Sequence, residues 1–278
     1  MSAPAPDRRE LRRGAPRIFW DSLFRALRLI AVHARNAYTT FGIFILAGLL
    51  VALTGTWAFT ELATHVRAGA TQAFDVAVLR WFAAHRTPLL QAPMLELTAL
   101  GTDVVITIVV GVSALFLWLT RHRHSAALLC IAAVGGMLLN PLLKVGFDRP
   151  RPHVFTWGTL VSSYSFPSGH AMNSAIVYAT IAYLAARLQR TRWARWLTGL
   201  TATLLIVLIC ASRLYLGVHY PSDVLAGVIV GLAWAGFCMT TLELAQHYAR
   251  RNAPALLRQE VPPPGATTAP VEPRRRRL

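Results

Sequence analysis

The chain has 278 residues, of which 55% are hydrophobic and 14% charged, with a mean hydropathy of +0.46. A soluble domain carries about 25% charged residues, so most soluble folds are excluded. The formal net charge is +16, and of the 28 cations Lys144 is the one lysine. On an apolar chain such a balance points to basic loops at an anionic membrane surface, not to nucleic acid.

In chain order, residues 17–35 (RIFWDSLFRALRLIAVHAR) place Phe19, Leu23, Leu27 and Ile30 on one helical stripe opposite Arg25, Arg28 and Arg35. This pattern predicts an amphipathic helix, either lying on the cytoplasmic leaflet or packed on the bundle. A bilayer core needs about 20 apolar residues per spanning helix, and six runs qualify: 41–60, 97–119, 126–143, 171–188, 193–211 and 224–244. Residues 72–86 read as a second interfacial helix, and 61–96 as a lid or lateral gate beside the site. The segment from Pro254, with its PPPG and terminal RRRRL, is too polar and proline-rich to pack. The expected organisation is therefore a basic segment over 1–40, a six-span all-α membrane domain over 41–245, and a disordered basic tail over 246–278. The catalytic core is expected in the last four spans.

Arginine distribution sets the predicted orientation. One set of loops and termini holds 21 cations and the other holds 7, which places both termini in the cytoplasm. Cys130, Cys210 and Cys238 lie inside apolar runs without metal-binding or redox spacing and read as packing residues. Trp57, Trp81, Trp118 and Trp157 fall near span ends, as interfacial anchors do.

Three clusters resist a merely structural reading. KVGFDRPRP (144–152) follows the third run, PSGH (167–170) opens the fourth, and SRLYLGVHYPSD (212–223) joins the fifth to the sixth. By the parity of the spans all three meet at one face, outside the cytoplasm. Lys144, Arg151 and Arg213 repel one another unless they hold an anion. Guanidinium forks and a lysine point charge suit phosphate. Ser168, Gly169 and His170 form a helix opening, whose free N–H groups favour an anion. His219 stands four residues before Asp223, so the carboxylate can hold one ring nitrogen while the other attacks. His170 is then placed to protonate the leaving oxygen. The cations replace a metal, and Asp148 is a thin basis for one, so no cofactor is expected. Asp103 reads as a helix cap, His153 as structural or substrate-adjacent, and Arg149 as a candidate contact for a second phosphate.

Read together, Lys-x6-Arg-Pro, Pro-Ser-Gly-His and Ser-Arg-x5-His-x3-Asp resemble the type 2 phosphatidic acid phosphatase superfamily, which is related to vanadium haloperoxidases. The resemblance covers roughly residues 70–245. It implies a phosphohistidine on His219 supported by Asp223, protonation of the leaving group by His170, and phosphoryl binding by Lys144, Arg151, Ser168, Gly169 and Arg213. The implied activity is hydrolysis of lipid phosphates or diphosphates: polyprenyl diphosphate, phosphatidic acid or phosphatidylglycerol phosphate. A lipid phosphotransferase using the same site is the alternative, and an anion channel or transporter a weaker one. The expected partners are a phosphorylated lipid and the membrane, with no nucleic acid, and the expected location is a bacterial plasma membrane with the site on its outer side. The sequence carries no signal for an oligomeric state.

Overall fold

A computed structural model describes residues 46–153 and 164–252. The amphipathic helix expected over 17–35, the tail from Pro254 and Trp157 lie outside the described residues.

The described residues contain helices and no strand. In chain order they are α1 (Leu46–Arg67), α2 (Gln72–Ala84), α3 (Pro88–Ala99), α4 (Asp103–Leu119), α5 (Arg123–Val145), α6 (Gly169–Leu188), α7 (Arg192–Tyr215) and α8 (Pro221–Asn252). Four of them, α1, α5, α7 and the Pro221–Leu244 part of α8, are long and apolar enough to cross a bilayer. The α3–α4 pair passes together, bent by 52° at its break. Val104, Ile108, Val112 and Leu115 on α4 and Leu197, Leu200, Leu204 and Val207 on α7 are exposed. Apolar surface this continuous requires lipid, not water, as its solvent. The chain is an integral membrane protein.

Against the expected six spans, four to five helices among the described residues qualify on length and apolarity. The difference lies in α6, the counterpart of the run at 171–188. This helix packs against α4, α5, α7 and α8. Met172, Asn173, Ser174, Ala175, Ile176, Val177 and Thr180 are all buried on it. Surrounded by protein, it keeps polar residues that a lipid-facing helix would exclude. The main core gathers around it, with Ile106 and Val110 of α4, Leu129 and Ala132 of α5, Met172 and Ile176 of α6, and Ile209 of α7.

Close approach of α6 and α8 rests on two glycines one turn apart. A Cβ on Gly227 would stand 2.5 Å from the Ser168 carbonyl oxygen, and one on Gly231 2.6 Å from that of Met172. Small residues at this spacing let membrane helices touch backbone to backbone.

The second expected span, 97–119, is interrupted at residues 100–102 by the corner between α3 and α4. Thr102 is extended and caps α4, its Oγ1 accepting from the Val105 N–H at 3.4 Å. The freed Leu100 carbonyl accepts from the Tyr178 hydroxyl at 2.8 Å. Gly101 passes so near α6 and α7 that a Cβ would meet Ile209 Cγ2 at 2.8 Å and Ser174 Oγ at 3.0 Å. The corner thus brings the end of α3 beside the opening of α6 and the C-terminal part of α7. Trp57, Trp81 and Trp118 are exposed as expected of anchors.

Candidate active site

The three sequence clusters converge where the C-terminal ends of α5 and α7 meet the N-terminal ends of α6 and α8. Each arrives by an identifiable local device. At the end of α7, Gly217 takes φ +66°, its N–H bonds the Leu214 carbonyl at 3.0 Å, and the Val218 N–H bonds that of Arg213 at 3.2 Å. This pair of bonds is a Schellman motif, which ends a helix on a left-handed residue. The chain then turns directly into His219. At the start of α8, Pro221 occupies the first helical position, and the Asp223 Oδ2 accepts from the Tyr220 N–H at 2.8 Å. A carboxylate at the third position reaching back to the cap residue is half of a capping box. Asp223 therefore serves as a helix-terminal acid and faces His219 as well. The Ser168 N–H bonds the Asp223 carbonyl at 3.0 Å, which ties the PSGH opening to α8.

His219 is 1% exposed. The Asp223 Oδ2 stands 3.5 Å from its Nδ1, and the Ser165 Oγ 3.4 Å from the same nitrogen. On the other side of the ring, the Arg151 Nη1 stands 3.4 Å from Nε2 while donating to the Val218 carbonyl at 2.8 Å. Burial pushes the imidazole down to about 4, outweighing the raising pull of Asp223. At neutral pH the ring is therefore uncharged, with Nε2 turned toward a guanidinium. Burial also lowers the Arg151 pKa, with Asp223 opposing.

Arg213 is 7% exposed, and its Nη1 donates to Thr98 Oγ1 at 2.5 Å. Its Nε and the Ser168 Oγ are buried without a hydrogen-bond partner. Both are donors, and a phosphoryl oxygen is the acceptor their chemistry fits. His170, half-buried on the first turn of α6, lies within electrostatic range of Arg213, His219, Lys144 and Arg151. Lys144, in the last turn of α5, lies within range of Arg151, Asp103 and Arg213. The expected site residues are thereby gathered at one end of the bundle. Gly169 has a further reason to be glycine, since a Cβ there would stand 2.3 Å from Asn140 Nδ2 on α5. Asp103 opens α4 as expected and also accepts from Asn173 Nδ2 at 2.9 Å, joining α4 to α6. His153 is exposed.

Arg149 corrects the expectation made for it. Its Nη1 donates to Asp223 Oδ1 at 2.6 Å and to Ser222 Oγ at 2.7 Å, and its Nη2 to Asp75 Oδ2 at 2.8 Å. With its guanidinium committed to two carboxylates, it is no contact for a second phosphate. Asp75, Ser165, Ser222 and Thr98 are not marked by the sequence motifs. The signal available for Asp75 is an acid inside the apolar stretch QAFDVAVL of α2.

The family model of the PAP2 superfamily matches residues 124–246. Phosphatidylglycerophosphatase B of Bacillus subtilis is 34% identical over 177 residues, covering 63% of this chain and 86% of that protein. The chain belongs to the PAP2 superfamily. An undecaprenyl-diphosphatase of Sulfolobus acidocaldarius is 29% identical over 175 residues, covering 61% of this chain and 79% of the relative. A crystal structure of a transmembrane PAP2 type phosphatidylglycerolphosphate phosphatase from Bacillus subtilis superposes with a TM-score of 0.64 at 28% identity, covering 73% of this chain and 98% of that one. Membership in this superfamily makes the protein a membrane-embedded phosphoric ester hydrolase.

Proposed function

We propose that this PAP2 protein dephosphorylates lipids carrying a terminal phosphate or diphosphate, of the polyprenyl diphosphate, phosphatidic acid or phosphatidylglycerol phosphate type, by way of a phosphohistidine on His219. The observation that carries the reading is the His219 ring, held at Nδ1 by Asp223 at 3.5 Å and facing Arg151 at Nε2. In the first step Nε2 attacks phosphorus and the P–O bond to the lipid breaks. His170 delivers a proton to the leaving oxygen. Arg151, Arg213, Lys144, the Ser168 hydroxyl and the N–H groups at Gly169 stabilise charge on the phosphoryl oxygens. Water then attacks the phosphohistidine and gives its proton to His170, which restores the acid; the P–N bond breaks as orthophosphate leaves, and His219 returns to its neutral form. The lipid class is supported by a polar site set among apolar helices, where a tail stays in the bilayer while its head group enters.

In this reading α6 counts as the sixth span, both termini lie in the cytoplasm, and the site opens on the outer face of a bacterial plasma membrane. The arginine asymmetry supports that sidedness. The test is release of orthophosphate by purified protein in detergent, with EDTA present, from a panel of lipid phosphates and diphosphates. His219→Ala is expected to abolish release. Full activity in that variant would remove the mechanism, and phosphorylated acceptor lipid in place of free phosphate would make the protein a transferase.

A further inference from the structure

The motif residues surround a phosphoryl group, yet the carboxylate that orients His219 is itself held from another part of the chain. Asp75 is 0% exposed on α2. Its Oδ1 accepts from the Ser222 N–H at 3.0 Å, and its Oδ2 accepts from the Ser222 hydroxyl at 2.6 Å and from Arg149 at 2.8 Å. The same guanidinium reaches Asp223 Oδ1 at 2.6 Å, which leaves Oδ2 to the Tyr220 N–H, the Ser165 hydroxyl and His219. Arg149 also lies 4.1 Å over the Tyr220 ring. Each oxygen of Asp223 is thus assigned, and the assignment of Oδ1 ends on α2.

We propose that Asp75 is a positioning residue of the phosphatase site, acting through Arg149 and Ser222 to fix the Asp223 carboxylate and, through it, the orientation and tautomer of His219. The inference rests on the phosphohistidine reading above for its catalytic meaning. Its structural content, a buried Asp75–Arg149–Asp223 chain governing His219, stands apart from the identity of the substrate. Two carboxylates and one guanidinium form a closed unit with every close donor satisfied. Removing the middle member leaves Asp75 and Asp223 as buried negative charges beside the imidazole. Removing Asp75 leaves the whole guanidinium charge to Asp223. The two changes push His219 in opposite electrostatic directions, which loss of packing alone does not do.

The charged or titratable groups facing His219 are Asp223 from α8, Arg213 from α7, His170 from α6 and Arg151 from the loop after α5, with Lys144 of α5 in range of His170 and Arg149 and Asp75 acting through Asp223. All but the exchanged residue stay constant in the test. The variants are Asp75→Asn, which keeps the shape of the side chain, Asp75→Ala and Arg149→Gln. The first readout is the titration and tautomer of His219 by nitrogen-15 NMR of histidine-labelled protein in detergent, which needs no turnover. The midpoint should fall in Asp75→Asn and rise in Arg149→Gln, each by several tenths of a unit to about one unit. The share of Nδ1–H tautomer should drop in both. The second readout is phosphate release, with kcat expected to fall roughly 10- to 100-fold, as for loss of an outer partner that orients a ligand or base, and KM to change by less than about threefold.

Unchanged midpoints and tautomers overturn the proposal, as does a loss of kcat in which both midpoints stay at the wild-type value. Should Asp75→Ala fail to fold, Asp75→Asn decides. If the wild type releases no phosphate from any lipid, the functional reading falls while the NMR titration still decides the role of Asp75.

Discussion

Acid should destabilise this protein through His219, by an amount the structure sets. In an unfolded chain the imidazole takes a proton near 6.5, whereas in the folded protein burial pushes it down to about 4. A depressed histidine means that the unfolded state binds the proton first. Stability is therefore full above about 6.5, falls as pH drops through the interval, and levels off below about 4. With one unit worth 1.36 kcal/mol, the whole interval amounts to about 3 kcal/mol, and at pH 5.5 the loss is about 1.4 kcal/mol. The assay is chemical denaturation in a neutral detergent between pH 4 and 8, comparing wild type with His219→Gln. The difference isolates His219, because His170 and the carboxylates titrate in both proteins. The wild type should lose stability relative to the variant as pH falls. A flat difference would mean that burial leaves the ring at its unfolded value and would refute the depressed pKa, whereas wild-type stability that rises relative to the variant in acid would mean a ring charged in the folded protein, and the neutral nucleophile would go with it.

Two further outcomes follow from the same geometry. Gly217→Val places a β-branched residue at φ +66°, costing roughly 1–2 kcal/mol. Because that turn feeds directly into His219, phosphate release should fall further than the drop in melting temperature alone explains, and wild-type turnover would refute the role of the turn. Orthophosphate should stabilise the wild type, by about 2.7 kcal/mol at a hundred times its dissociation constant. Arg213→Lys, which lacks the fork and the Nε donor, should bind it at least several-fold more weakly. Equal protection of both proteins in a thermal-shift titration would place the anion elsewhere.

The sequence made the site legible because its pieces are short and local. A helix opening at PSGH, a four-residue interval between His219 and Asp223, and a six-residue gap from Lys144 to Arg151 can all be read without a fold. The spans α5, α7 and α8 were equally plain from apolar length. Two things were not. The corner between α3 and α4 is hidden because Gly101 and Thr102 sit within a hydrophobic run, and what forces the bend is the approach of Ser174 and Ile209 from other helices. The pairing of Arg149 with Asp75 joins residues 74 positions apart. The interval from Lys144 singles out Arg151, but nothing local tells what Arg149, two residues before it, holds. The packing of α2 against α7 and α8 supplies that partner.

Formal charges around the site explain why so basic a cluster persists at the edge of an apolar bundle. Asp75, Arg149 and Asp223 together carry one net negative charge, and they are joined by contacts of 2.6 and 2.8 Å. Lys144, Arg151 and Arg213 carry three positive charges, with Asp103 within electrostatic range of Lys144 and Asp223 of Arg151. The cluster stays positive after these carboxylates are counted, and on the proposed function that surplus is what receives a phosphoryl dianion. Had Arg149 served as a further phosphate contact, Asp75 and Asp223 would lack their shared cation and the imidazole would face two buried carboxylates. On the proposed function, dividing the two neighbouring arginines, one for the carboxylates and one for the phosphate, keeps His219 neutral and the cradle positive at the same time.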